Sequence, residues 1–192
     1  CLSDWSSDVC SSDLTHEGFR ARAYDDLTGA QVKRGRKLKG DPTVGYGFNL
    51  THPNAAELLA EVGADIKLVK TAEQDISESQ ARQLTALASQ EAATWIHNHF
   101  REELPDLQDH QLVALMSLAY NSRWNKSGPT LIVTTGLSKA IKAGDYDKAA
   151  IIIANKSVGG VPASIRNSIK ARRRKEARMF LGSGLDVSSE DP

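Results

Sequence analysis

His16-Glu17-Gly18, Ala23-Tyr24-Asp25-Asp26 and Pro42-Thr43-Val44-Gly45-Tyr46-Gly47 are the three pieces of sequence on which the fold of this chain turns. The first reads as the end of a helix. The stretch around the other two, Arg22 to Leu50, is rich in Gly, Thr, Tyr and Val, with turn signals at Thr28-Gly29, Gly40-Asp41-Pro42 and Gly45 to Gly47. That pattern predicts short strands and loops, a small β lobe. Two carboxylates and a hydroxyl therefore sit on strands and turns, and a third carboxylate stands just ahead of them.

Downstream the period changes from strand-like to helical. Pro53 to Val62 reads as a helix stopped by Gly63. Ser77 with Gln80 is a capping-box signature. Leu84, Leu87, Ala88, Glu91 and Trp95 then keep helical spacing on one long helix that ends before Pro105. Asp109 is placed to cap a helix carrying Leu112, Leu115, Met116 and Ala119. Shorter helices are predicted near Leu131 to Lys142 and Tyr146 to Asn155. Ser164 is placed to cap a last helix that stops at Gly182-Ser183-Gly184, with a polar tail from 183 to 192. The chain shows no internal repeat. The expected architecture is α+β, a small β lobe in front of a larger, mainly helical lobe with a cleft between them.

Residues Asp4 to Leu14, DWSSDVCSSDL, match one reading frame of a common sequencing-library adapter, so positions 1–14 are read as a non-native segment. Both cysteines, Cys1 and Cys10, fall there, which leaves no disulfide for the domain read as 15–182. On this reading the natural N-terminus, with any signal or anchor, is missing. Without Asp4, Asp8 and Asp13 the formal charge rises from zero to +3.

Charge is unevenly spread. Lys33, Arg34, Arg36, Lys37 and Lys39 crowd one segment, and Arg166, Lys170, Arg172, Arg173, Arg174, Lys175 and Arg178 another. Such runs are usually solvated faces; the alternative is attraction to an anionic polymer. No zinc-ligand spacing, phosphate-binding glycine loop or RNA-binding aromatic signature accompanies them, so neither metal nor cofactor is expected, and no nucleic acid. The apolar runs, such as Ala149 to Ala154, are too short to span a bilayer.

Cleaving a glycosidic bond takes one carboxylic acid to protonate the leaving oxygen and one carboxylate to act at the anomeric carbon. Glu17 and Asp26 are candidates, with Thr43 able to orient a water. Glu17-Gly18, Tyr24 seven positions on, Asp26 two beyond and the Thr43-to-Gly47 turn together resemble the phage-type lysozymes, glycoside hydrolase family 24. The likeness extends to Leu118-Ala119-Tyr120-Asn121, to Arg172-Arg173 with Glu176, and to Met179-Phe180-Leu181. It runs from about Thr15 to about Gly182.

The resemblance implies a peptidoglycan hydrolase, an N-acetylmuramidase acting on β-1,4 bonds between N-acetylmuramic acid and N-acetylglucosamine, with inversion. Its partner would be the glycan strands of the bacterial wall, and the protein a monomer. Glu17 would be the general acid, Asp26 the holder of the water and Thr43 the third member of the set. Tyr120 and Asn121 would line the sugar site. Arg172 would pair with the glutamate, Arg173 being the alternative. An origin in a phage is implied, with synthesis in the host cytoplasm and action on the wall.

Two other functions share the pattern. A lytic transglycosylase needs the glutamate but neither Asp26 nor Thr43. A non-catalytic wall-binding or virion structural module would be expected to lose Glu17 or Asp26 first. Three departures stand out. Sixteen residues separate Asp26 from Thr43, including the basic insert 30–41; Phe48 stands where many members have a histidine; and Ser122-Arg123 replaces a glycine that often follows the helix-ending Asn.

Overall fold

The computed structural model describes residues 18–33, 35, 37–155 and 163–182, with side chains from Arg166 onward in the last stretch. The expectations for the segment 1–14, for a helix end at residues 15–17 and for the tail from Ser183 onward lie outside the described residues. The chain divides into two compact units, one running through Glu91 and the other starting at Ala92.

In the first unit β1 (Arg20–Asp25), β2 (Pro42–Gly45) and β3 (Phe48–Asn49) form an antiparallel sheet in the order β1-β2-β3. Side chains alternate along β1: Ala23 and Asp25 are buried, Arg20 and Arg22 exposed, the period of two that a half-buried strand imposes. β2 is the middle strand, and Thr43, Val44 and Gly45 are all buried. Its register places Thr43 opposite Tyr24 on one side and Asn49 on the other.

The pairing of β1 with β2 is irregular between Arg20 and Tyr24 and continues through Tyr24–Thr43 to Asp25–Pro42, where the long connection from Asp26 to Asp41 begins and ends. After Asp25 the chain turns and runs back along β1: Gln31 bridges to Tyr24, and the Val32 N–H donates to the Ala23 carbonyl at 2.9 Å. It then returns so that the Asp26 N–H meets the Asp41 carbonyl at 3.1 Å. The first part of the insert, through Val32, thus lies against the outer edge of β1.

Helix α1 (Ala55–Glu61) ends just before Gly63, as the sequence predicts. Helix α2 (Ile66–Lys70) is an addition, too short at five residues to show periodicity. The Asp65 carboxylate caps it by accepting from the N–H groups of Lys67 and Leu68 at 2.7 and 3.2 Å. Helix α3 (Glu78–His99) starts on the expected capping box. The Ser77 N–H donates to Gln80 Oε1 at 2.8 Å and the Gln80 N–H to Ser77 Oγ at 3.2 Å.

The second unit holds the end of α3, helix α4 (Asp109–Tyr120), a small hairpin of β4 (Trp124–Asn125) and β5 (Gly128–Pro129), and helices α5 (Thr130–Thr134), α6 (Leu137–Lys142), α7 (Tyr146–Asn155) and α8 (Ala163–Phe180). One apolar cluster binds them, with Ile96 and Phe100 from α3, Leu115 and Leu118 from α4, Ile132, Ile141 and Ile153 from the short helices and Phe180 from α8.

Three details correct the sequence reading. Gln108, not Asp109, is the N-cap of α4; its N–H is taken by Gln111 Oε1 at 2.9 Å, and Asp109 becomes the first helical residue. There its charge still favours the helix N-terminus. The segment 131–142 is two helices, because Gly136 adopts φ +81°, a left-handed conformation that breaks the α-helix. Ser164 lies inside α8, which starts at Ala163. Among the described residues no helix is long and apolar enough to cross a membrane.

Candidate active site

Asp25 and Asp26 are adjacent in sequence and opposite in circumstance. Strand alternation turns Asp25 inward, where it is 3% exposed. Its carboxylate accepts four backbone N–H groups: Leu27, Thr28 and Gly40 on Oδ1 at 2.9, 3.0 and 3.2 Å, and Lys39 on Oδ2 at 2.6 Å. Desolvation pushes this carboxyl up, but the summed donors, Lys39 first, outweigh it and hold it below the ordinary carboxylate range. One side chain thus ties both ends of the insert together.

Asp26 is exposed. Its Oδ1 accepts the Asp41 N–H at 2.7 Å, while its own N–H donates to the Asp41 carbonyl. That same carbonyl accepts the hydroxyl of buried Thr43 at 3.3 Å. The two residues predicted to act on water are therefore joined through one residue, Asp41, whose carbonyl accepts from both the Asp26 N–H and the Thr43 hydroxyl. The Asp41 side chain is itself held, accepting from Asn49 Nδ2 at 3.2 Å. A Cβ on Gly40 would lie 1.9 Å from Asp26 Oδ1 and 2.7 Å from Leu27 Cβ, so only glycine fits under this carboxylate. Glu17 and His16 lie outside the described residues.

The turn after β2 is anchored from α3. Buried Tyr46 donates its hydroxyl to Glu78 Oε1 at 2.7 Å. Arg82 pairs with Glu78 at 2.7 Å and lies 5.4 Å from the Tyr46 ring centroid. Phe48, the departure from the family pattern, is buried with its ring 6.0 Å from that of His52. His52 Nδ1 accepts the Asn54 N–H at 3.3 Å and lies 3.9 Å from Glu91 Oε2. Burial pushes His52 down to about 4 and Glu91 up from its ordinary value. Burial thus works against the charged form of both partners of this pair.

In the second unit the other predicted residues gather at the end of α4. Asn121 is its C-cap, and Ser122 does not adopt a positive φ, so the turn needs no glycine at position 122. Asn121 Nδ2 donates to the Ser117 carbonyl at 3.0 Å, and Arg172 Nη1 donates to Asn121 Oδ1 at 2.5 Å. Arg173 is buried; it donates to Glu176 Oε2 at 2.6 Å and to the Asn121 carbonyl at 3.3 Å. Glu176, 3% exposed, also accepts the Ser117 hydroxyl at 3.1 Å. Burial pushes its carboxyl above the ordinary value even though Arg173 and Ser117 pull the other way. Tyr120, beside Asn121, is half-buried, and its hydroxyl is withdrawn from solvent.

The structure thus brings Asp26 and Thr43 together in one unit and Asn121 and Arg172 together in the other. The reading from sequence missed Asp41 as the shared residue, Gly40 as the close approach, and the hold of Arg173 and Glu176 on Asn121. Gly40-Asp41-Pro42 had signalled a turn, and Glu176 was part of the recognised pattern, but nothing in the sequence paired them. Among the described residues no cluster of His, Cys, Asp and Glu could hold a metal ion.

A three-stranded sheet and a helical unit with these residues on them define an α+β, lysozyme-like protein. The model of the phage lysozyme family matches residues 14–176, and the chain belongs to that family. Among curated proteins none matches it. The family is one of peptidoglycan hydrolases, and peptidoglycan is its substrate class.

Asp25→Asn should cost about 2 kcal/mol at neutral pH, since an amide nitrogen replaces an oxygen that accepts backbone N–H groups. The folded carboxyl lies below its unfolded value of about 3.9. Its stabilisation is therefore complete above that pH and is lost as pH falls through the folded value. Urea unfolding at several pH values should show the gap between wild type and variant largest above about pH 5 and shrinking below about pH 4. A gap independent of pH would contradict the role given to this carboxylate.

Proposed function

We propose that the chain is an N-acetylmuramidase that cleaves the β-1,4 bond between N-acetylmuramic acid and N-acetylglucosamine with inversion. Glu17 gives its proton to the leaving oxygen. Asp26 takes a proton from the attacking water, and Thr43 helps to orient that water. The observation that carries this reading is that Asp26 and Thr43 are both held on one residue, Asp41: its N–H donates to the Asp26 carboxylate, and its carbonyl accepts the Thr43 hydroxyl. A transglycosylase, whose own substrate hydroxyl attacks, has no use for that pair. Asp25 is an unsuitable base, because its lone pairs are engaged by four backbone donors. Asp26 is exposed and reaches solvent.

Thr43 fits a water-holding role. Its proton goes to the Asp41 carbonyl, which leaves the hydroxyl oxygen as an acceptor for water. Tyr120 and Asn121 contact the glycan, Asn121 being steadied by Arg172 and Arg173.

Glu17→Gln should abolish turbidity loss of a cell-wall suspension, because the amide is the same size but has no acidic proton to donate. Asp26→Asn should be almost as damaging. Gly40→Ala should also lower lysis, since its methyl group would claim the space of Asp26 Oδ1. Well-folded variants at Glu17 or Asp26 that still lyse walls would remove those residues from the mechanism.

A water between Asp26 and the sugar requires the two carboxyl groups to stand about 6.5–9.5 Å apart and gives inversion in one step. Early-time NMR of the anomeric proton should show the α-anomer forming first from β-linked glycan. The β-anomer first would mean a covalent intermediate, and an anhydro-sugar end, lighter by one water, would mean transglycosylation.

A further inference from the structure

Helix α8 sorts its charges by face. Arg173 and Glu176 are buried, and Arg172 is half-buried. Arg166, Lys170, Arg174, Lys175 and Arg178 are all exposed. From Arg166 the sequence has one acid before the helix ends, Glu176, and it is inside. Among the described residues no ion pair is recorded for Lys170, Arg174, Lys175 or Arg178. Arg166, Lys170, Arg174 and Arg178 recur every four residues, so they wind slowly around one side over about 18 Å of helix. Lys175 lies farther round the same exposed side.

We propose that this cationic stripe is a docking surface for the anionic, carboxylate-bearing polymer of the cell wall, distinct from the residues that contact the scissile bond. The proposal rests on peptidoglycan being the substrate. Charge complementarity argues for the partner: muramyl peptides bear free carboxylates, and the exposed cations Lys170, Arg174, Lys175 and Arg178 attract them along the helix. The exposed side of α8 argues against a lipid surface. Between the cations it carries Asn167, Ser168 and Ala171, whereas Ala177 and Phe180 are buried and Met179 and Leu181 pack against the apolar cluster. A helix that lies in a membrane interface needs its large apolar side chains outward.

The test compares the full chain with a variant carrying Lys170→Gln, Arg174→Gln, Lys175→Gln and Arg178→Gln. Both are pelleted with purified insoluble peptidoglycan, on ice and for a time too short for lysis. At about 50 mM salt the variant should bind about tenfold more weakly, and near 0.5 M the two should agree within about twofold. Amidating the wall carboxylates should bring wild-type binding down to that of the variant. Hydrolysis of the amidated wall should proceed equally in both proteins, which separates docking from chemistry.

Equal binding by the two proteins at low salt would overturn the proposal, as would retention that ignores amidation. So would tighter binding to phosphatidylglycerol vesicles or duplex DNA than to the wall. Wild type that binds with the expected salt dependence but cleaves nothing would refute the hydrolase reading and leave the docking surface standing.

Discussion

The carboxylate of Asp25 is the constraint on which the candidate site depends. A connection of this length between two paired strands has many ways to leave the sheet and many to return. Four backbone N–H groups, two just after β1 and two just before β2, are drawn onto one buried side chain. Charge-assisted hydrogen bonds of this kind are roughly twice as strong as neutral ones. They close the insert at its base. Thr43 then stands opposite Tyr24.

That closure fixes the neighbouring acid as well. With Lys39 and Gly40 held on Asp25, the next residue, Asp41, lies against Asp26 and exchanges two hydrogen bonds with it. Gly40 passes so close beneath the Asp26 carboxylate that any side chain there would displace it. Strand geometry supplies the division of labour: successive side chains face opposite ways, so one acid is buried to hold backbone and the next is left in solvent. A buried carboxylate saturated by donors is a poor base. The exposed Asp26 carboxylate accepts the Asp41 N–H, and its backbone N–H is held by the Asp41 carbonyl.

Much of this was legible in the sequence. The turn residues marked the β lobe, the helical periods marked α1, α3, α4 and α7, and the Ser77–Gln80 box marked where α3 begins. What sequence could not give was set by contacts remote along the chain or by single backbone angles. Gln108 outcompeted Asp109 because the Gln111 side chain folds back onto it, which a scan for short polar caps overlooks. Gly136 split a helix that apolar spacing alone would have carried through. Asp25 and Asp26 differed only by spacing from Glu17 and Tyr24. Their physical difference needed Lys39 and Gly40, fourteen and fifteen residues away from Asp25.

Helix α8 shows why a basic run cannot be read as one thing. Its arginines look interchangeable in sequence, yet burial separates them. Arg173 and Glu176 could not both be charged inside the unit without each other, because an unpaired buried ion costs several kcal/mol. Paired, they leave donors over, and Arg173 spends one on the Asn121 carbonyl while Arg172 reaches the Asn121 side chain. The inward charges are thus consumed in shaping the end of α4. The outward ones meet no acid on their own helix, and net repulsion along the stripe is tolerated only because water screens it. A chain that keeps its sole acid on this segment buried, rather than interleaving acids outside, retains a long-range attraction that a balanced surface would cancel. Inward charge sets local geometry over a few ångströms; outward charge acts over the length of the helix.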